Sequence, residues 1–211
     1  MRWTFDAKVA AEFDLIAQKQ IPNYDLVIGR CIEVASVQFK TNSSAKIIDI
    51  GSAKGRTLTR LYEAGFHNIY GVESSPHMKA ASAFSERIIL SEHFPLEHAP
   101  FDMALANWTL HFIQAREDYI RDIFKGLQPS GLFIFSDRML GSDISYQHYL
   151  DFKRKSGVSE ADIKAKEAAL KGVLEPRPLA WYQNTLQQTG FKDIEVIDAA
   201  WCFNTVMCRK P

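Results

Sequence analysis

Between residues 46 and 137 short apolar runs alternate with amphipathic stretches, and this rhythm restricts the fold more than any other feature of the chain. Residues 46–50 (KIIDI) are the first run, and a glycine turn follows at Gly51-Ser52-Ala53-Lys54-Gly55. Leu58, Leu61 and Tyr62 then recur at helical spacing until Gly65 stops them. Residues 68–73 (NIYGVE), 87–90 (RIIL), 101–107 (FDMALAN) and 132–137 (LFIFSD) read as four further strands. Between them, Ser75 is placed to cap a helix with Pro76 in its first turn, where a missing amide costs little. Tyr119, Ile120, Ile123, Phe124 and Leu127 mark another helix. Strands this short and this continuously apolar need cover on both faces. Alternation with helices supplies it, so the chain is predicted to be α/β with a mostly parallel, Rossmann-like sheet.

Other elements flank this unit. Val9, Phe13 and Ile16 predict a first helix, and Tyr24, Val27, Cys31 and Val34 a second, with Ile21-Pro22-Asn23 breaking the pattern between them. Residues 1–40 are thus expected to form a helical cover. Residues 142–174 insert two polar helices, the second opened by Ser159 and Asp162 in the manner of a capping box. Trp181, Tyr182 and Leu186 lie on a further helix that Gly190 ends. Residues 194–197 and 202–207 close the chain as an antiparallel pair at a sheet edge, giving seven strands in one domain over residues 1–211.

Composition excludes several classes. The 211 residues carry 25 Lys plus Arg and 25 Asp plus Glu, so the formal net charge is zero. A general polyanion binder needs a basic surplus, which is missing here. Cys31, Cys202 and Cys208 are too few and too scattered for a disulfide framework or a zinc site, which fits a reducing compartment. No apolar run is long enough for a bilayer span, and the first residues lack a signal-like apolar core. A cytoplasmic protein is expected, with no metal and no membrane partner.

The chemistry-bearing residues gather at strand ends. Asp49-Ile50-Gly51-Ser52-Ala53-Lys54-Gly55 sits where the first strand turns into a helix, the place where open α/β sheets bind ligands. Gly51 permits the turn, Ser52 and Ala53 let backbone approach a ligand, and Gly55 lets the helix pack near the strand. The spacing is neither GxGxxG nor GxxxxGK[ST], which disfavours dinucleotides and nucleoside triphosphates. A bare structural turn is the plainer alternative. Glu73 ends the second strand about twenty residues on, where an acid holds ribose hydroxyls; a solvated acid at a helix start is its plainer alternative. Together the two point to adenosine. Asn107 ends the fourth strand and can donate and accept at the site mouth. Trp108, His111 and Phe112 could wall a small pocket, although Leu110 and Phe112 read more simply as helix core. His111 is the first side chain to consider as a base, against the commoner role of a packing histidine. No GxSxG elbow or other nucleophile signature is present.

Asp49 to Gly55, Glu73 and the Asn107 strand end resemble the first, second and fourth motifs of class I S-adenosylmethionine-dependent methyltransferases. A closer resemblance spans nearly the whole chain. Trp3-Thr4-Phe5-Asp6, Val9-Ala10, Ile21-Pro22-Asn23-Tyr24, Asn107-Trp108-Thr109-Leu110, Gly126-Leu127-Gln128-Pro129-Ser130-Gly131, Phe152-Lys153-Arg154 and Cys202-Phe203-Asn204 are similar to the carboxy-S-adenosylmethionine synthase family. Those dimeric enzymes combine S-adenosylmethionine with prephenate, and their product modifies wobble uridine in tRNA. The resemblance implies that Tyr24 contacts the cofactor from the N-terminal helices and that Gly51, Ser52 and Ala53 form the glycine loop. It implies that Glu73, standing where the family has Asp, holds the ribose, with Ser74 beside it. Glu92 would face the adenine amine, His93 would supply a neighbouring backbone contact, and Asn107 would lie near the methionine portion.

One departure stands out. The family carries an arginine that reaches the product carboxylate across the dimer, and here Glu167 occupies that place beside Lys166. An anion there repels a carboxylate, unless Arg154 reaches in by another route. Segments between the second and fourth strands and around residue 140 are also shorter than in the family. The first expectation is therefore methyl transfer from S-adenosyl-L-methionine to a small or modest-sized acceptor. Carboxy-S-adenosylmethionine synthesis ranks second, and a non-catalytic cofactor-binding partner third. The insert has six bases and five acids, with Lys153-Arg154-Lys155 its one basic cluster. That cluster reads as solvated helix surface, so tRNA is possible but not favoured, and a homodimer is expected.

Overall fold

The computed structural model describes residues 4–40 and 44–211. Trp3 lies outside the described residues. Two helices, α1 (Ala7–Gln20) and α2 (Tyr24–Phe39), precede the sheet. The sheet strands are β1 (Ile47–Ile50), β2 (Ile69–Glu73), β3 (Ile88–Leu90), β4 (Phe101–Asn107), β5 (Leu127–Arg138), β6 (Lys192–Ala200) and β7 (Phe203–Arg209). The intervening helices are α3 (Arg56–Glu63), α4 (Pro76–Ala80), α5 (Arg116–Gly126), α6 (Asp143–Lys155), α7 (Glu160–Leu170) and α8 (Leu179–Thr189).

The strands form one sheet in the order β3-β2-β1-β4-β5-β7-β6. All neighbours pair in parallel except β7, which runs antiparallel to both β5 and β6. The terminal antiparallel pair lies at a sheet edge, as expected. β7 lies between β5 and β6, so its core-facing residues Val206 and Cys208 are fully buried and β6 forms the rim at that end. The chain steps outward from β1 through β3 and returns to β4. This reversal opens a crevice at the carboxyl ends of β1 and β4.

Side-chain alternation divides the core. Ile48 and Ile50 face one layer with Phe101, Phe133, Phe135, Tyr182 and Leu186, beneath α5 and α8. Ile47 faces the other, with Cys31, Leu58, Leu61 and Phe66 beneath α2 and α3. Tyr62, expected on the buried stripe of its helix, is exposed and packs edge-on against His67. It lies about 100° round the helix from Leu61 and about 40° from Leu58, on the far side of the buried arc. The stripe Val9, Phe13 and Ile16 on α1 does not enter either core layer but faces the crevice. Ser75 and Ser159 cap their helices as the sequence indicates, accepting from the amides of Met78 at 3.2 Å and Asp162 at 3.1 Å. Among the described residues no helix is long and apolar enough to cross a membrane, and the three cysteines are free and buried.

Candidate active site

A cavity of about 670 Å³ occupies the crevice, roofed by α1 and the start of α2 and flanked by α7. Tyr24, Gly51, Ser52, Ala53, Glu73, Ser74, Glu92, His93, Asn107, Trp108 and His111 all line it. Gly55 does not. It caps α3 with φ +81°, and a side chain there would overlap Ser82. The glycine is required by backbone geometry and by the close approach of the loop after α4, rather than by a ligand or the strand. Phe112, read as helix core, is half-buried, lines the cavity and meets Phe5 edge-to-face at 5.5 Å. Its segment is a single 3₁₀ turn, Leu110–Phe112, so only Leu110 points inward to the core.

The glycine loop is shaped by what crosses behind it. Gly51 has φ +69°, and any Cβ there would overlap the Thr109 side chain. Thr109 in turn places its hydroxyl 3.1 Å from the carbonyls of Ile50 and Asn107, joining the ends of β1 and β4. Ala53, with φ +45°, turns its amide onto Glu73 Oε2 at 2.9 Å, while Ser75 N–H donates to Oε1 at 2.8 Å. The Glu73 carboxylate is therefore buried, oriented by two backbone donors, and retains lone pairs for two more. Burial raises its pKa, opposed by those backbone bonds.

Neighbouring groups test whether a nucleoside sulfonium fits. Ser52 Oγ and Trp108 Nε1 are buried at the cavity wall without a hydrogen-bond partner among the described residues. Orphaned polar atoms of this kind are costly unless a ligand or water meets them. Tyr24 stacks on Trp108 at 4.7 Å, making an aromatic wall suited to a sulfonium cation. Asp49, 2% exposed, lies at the cavity floor. Burial pushes its carboxyl up to about 8, against a hydrogen bond from Thr57 and reinforced by the charge of Glu73. Asn107 faces Cys31 Sγ at 3.7–3.8 Å, and burial holds that thiol protonated, pushed up to about 12. An acidic, aromatic, hydroxyl-reading cleft fits S-adenosylmethionine: Glu73 would hold the ribose and the Tyr24–Trp108 pair would bound the sulfonium end.

His111 is only 3% exposed. Its Nδ1 lies 2.8 Å from Asp137 Oδ1 and 3.3 Å from the Arg138 amide. Nδ1 accepts from the Arg138 N–H, and Asp137 Oδ1 has no hydrogen-bond donor among the described residues. Asp137, fully buried, accepts at its other oxygen from Tyr182 Oη at 2.6 Å, and Tyr182 accepts from Arg116 at 2.9 Å. Sequence spacing gave no sign of this Arg116–Tyr182–Asp137–His111 chain, whose members lie on α5, α8, β5 and the turn after β4.

The insert also departs from expectation. Arg154 is exposed and pairs with Glu160, so it does not reach the cavity. Lys153, read as solvated, is 2% exposed, whereas Lys155 is a surface partner of Asp151 at 2.7 Å. Within the chain, Glu167 hydrogen-bonds the Tyr146 hydroxyl, and Lys166 rather than Glu167 lines the cavity.

Comparison with known proteins agrees with this geometry. Residues 48–135 match the family described as a methyltransferase domain. Over 227 aligned positions the chain is 30% identical to a carboxy-S-adenosyl-L-methionine synthase of Helicobacter hepaticus, covering 99% of this chain and 95% of that protein. The chain belongs to the carboxy-S-adenosyl-L-methionine synthase family. A synthase of the same description from Shewanella loihica is 29% identical over 95% of this chain and 88% of its own. Among solved structures, a possible histamine N-methyltransferase of Thermotoga maritima is 16% identical, covers 97% of both chains and superposes with a TM-score of 0.65. That likeness shows the fold. S-adenosylmethionine is the cofactor of this family, and the carboxy-S-adenosyl-L-methionine synthase relatives span the glycine loop, Glu73 and the insert together.

Proposed function

We propose that this protein is a transferase working at the methyl carbon of S-adenosylmethionine, and that it passes the methyl group to a small acceptor. The observation that supports this most directly is the enclosed cleft in which Glu73, Ser52 and Trp108 present buried polar atoms beside the Tyr24–Trp108 wall. S-adenosylmethionine, when bound, supplies a sulfonium-activated carbon, so the protein's task is positioning. Glu73 fixes the ribose end. α1 excludes water through Val9, Phe13 and Ile16. His111, held by the Arg138 amide and lying beside Asp137, accepts the proton of a hydroxyl or amine acceptor. Burial of the site beneath α1 and the neutral overall charge favour a small acceptor over tRNA.

The relatives' reaction, carboxylation of the same carbon, is the second reading. The cation-bearing end of the cavity favours it, whereas Glu167 at the place of the family arginine speaks for methyl transfer. Incubation with S-adenosylmethionine, with and without prephenate, separates the two by mass spectrometry. Methyl transfer yields S-adenosylhomocysteine and a methylated component of a metabolite extract. A carboxylated sulfonium formed with prephenate makes carboxylation the activity. Absence of S-adenosylhomocysteine binding by calorimetry would refute both. We further read the protein as a cytoplasmic homodimer, on its free cysteines and on the family resemblance; sedimentation velocity tests the dimer.

A further inference from the structure

Among the described residues, α1 gives the cavity one charged side chain. Val9, Phe13 and Ile16 line the roof, and Asp14 lines it beside them. Asp14 Oδ2 lies 3.4 Å from Lys54 Nζ on the glycine loop, longer than the roughly 2.7–2.9 Å of a well-made charged hydrogen bond. Lys54 lines the cavity too. Asp14 Oδ1 is buried and has no hydrogen-bond partner among the described residues. The neighbouring charges are better matched. Arg56 Nε donates to one oxygen of Asp25 at 2.9 Å, and Gln18 donates to the other at 2.9 Å.

The pair joins the roof to the glycine loop near the Tyr24–Trp108 wall. Burial raises the Tyr24 phenol, and Asp14 is the charge that adds most to that effect. Where the chain enters α1, Ser75 Oγ donates to the Phe5 carbonyl at 2.6 Å, so this end is pinned beside Ser74 and Glu73. A loose, part-exposed ion pair contributes little to stability. An orphaned carboxylate oxygen costs free energy until a donor meets it. One ligand that carries both an ammonium and a carboxylate satisfies the two side chains together. The ammonium supplies the donor that Oδ1 lacks, and Lys54 gives N–H groups to the carboxylate.

We propose that Asp14 and Lys54 clamp the amino-acid head of S-adenosylmethionine, Asp14 taking its ammonium and Lys54 its carboxylate, and that this contact holds α1 shut over the donor. The proposal rests on the reading of the cleft as the S-adenosylmethionine site, and it adds a roof residue that no strand-end motif contains. The head, and not the nucleoside, then couples the donor to α1. Because α1 also carries Val9, Phe13 and Ile16 against the cavity, recognition of the head and exclusion of water become one event.

Calorimetry on the full chain compares S-adenosylhomocysteine, which carries the head, with 5′-methylthioadenosine, which lacks it. The unmodified protein should bind the first at least about tenfold more tightly, the value of one charged contact. Asp14→Asn and Lys54→Met should each weaken S-adenosylhomocysteine about tenfold and leave 5′-methylthioadenosine within about twofold. Both side chains are part-exposed, so these variants fold. The exchanged pair, Asp14→Lys with Lys54→Asp, restores an ion pair between α1 and the loop but presents its charges to the head in reverse order. It should bind S-adenosylhomocysteine as weakly as the single variants. Full affinity in the exchanged pair would overturn the clamp and leave the two residues a structural strap. Unchanged S-adenosylhomocysteine affinity in either single variant, equal affinity of the unmodified protein for the two ligands, or equal weakening of both by Asp14→Asn would overturn it as well. Amide hydrogen exchange gives a second readout: saturating S-adenosylhomocysteine should slow exchange in α1 of the unmodified chain and not of Asp14→Asn, and equal slowing would count against the coupling to α1. Failure of the unmodified protein to bind either ligand would instead strike the cofactor reading.

Discussion

Asp49 offers the sharpest quantitative test of the site. It is the third residue of β1, 2% exposed, beneath the glycine loop. Burial raises its carboxyl from 3.8 to about 8, against the Thr57 hydrogen bond and with added repulsion from Glu73. In the unfolded chain the group titrates near 3.8 and loses its proton above that pH, whereas the folded protein keeps the proton until about 8. The unfolded state then binds fewer protons, so stability falls as pH rises from about 4 to about 8 and is level beyond. Each pH step in that window costs about 1.4 kcal/mol, so the whole loss is on the order of 5 kcal/mol, a large share of a domain's net stability. Asp49→Asn keeps the shape and an acceptor for Thr57 but removes the ionisation. Urea denaturation of the ligand-free protein at pH 5, 6.5 and 8 should show the unmodified chain losing stability steadily. Asp49→Asn should retain only the shallower slope of the remaining carboxylates, Glu73 among them. Equal slopes would show that Asp49 is ionised in the folded protein and that the floor of the cleft is wetter than its burial indicates.

Three other substitutions test neighbouring steps. Glu73→Gln presents an NH₂ to one of the two backbone donors that orient the carboxylate; S-adenosylhomocysteine affinity should fall by about 1.5–3 kcal/mol, and an unchanged calorimetric Kd would remove Glu73 from the ribose role. Gly51→Ala adds a Cβ at φ +69° into the Thr109 side chain and should destabilise by about 1–3 kcal/mol; an unaltered thermal midpoint would mean that Thr109 yields freely. Tyr182→Phe leaves Asp137 and Arg116 each short of a buried partner and should cost about 1–3 kcal/mol in urea unfolding; a neutral result would mean that the two charges re-pair directly.

Much of the fold was legible because its signals are local. The runs around Ile48, Val72, Ala104 and Ile134 are apolar at successive positions, and each ends in a helix-starting turn. Order along the chain then fixes a parallel sheet. The position of β7 was not legible in the same way. A hairpin read from turn spacing says that β6 and β7 pair, but which of them meets β5 depends on contacts such as Phe133 with Cys208, far apart in sequence. The error at Tyr62 has a related origin: spacing marks a stripe, and the width of the buried arc is set by how closely α2 and the loop after α4 approach α3.

The site divides along the same line. The cofactor half is made of short contiguous motifs, because a loop that must turn, present amides and admit a nucleoside needs its small residues adjacent. Gly55 misled only in its purpose, since φ +81° and contact with Ser82 call for glycine without any ligand. The second half has no such motif. Lys153 sits in a tripeptide, Lys153-Arg154-Lys155, that looks uniformly solvated. The helical increment of 100° per residue sends Lys153 inward to Tyr149 while Arg154 and Lys155 pair with Glu160 and Asp151 outside. Likewise Lys166 and Glu167 are adjacent, yet one lines the cavity and the other turns to Tyr146. Charge totals for the insert, six bases against five acids, cancel on paper because they count both faces of α6 and α7. Only the facing of those helices separates the inward Lys153 and Lys166 from the outward, paired Arg154 and Lys155.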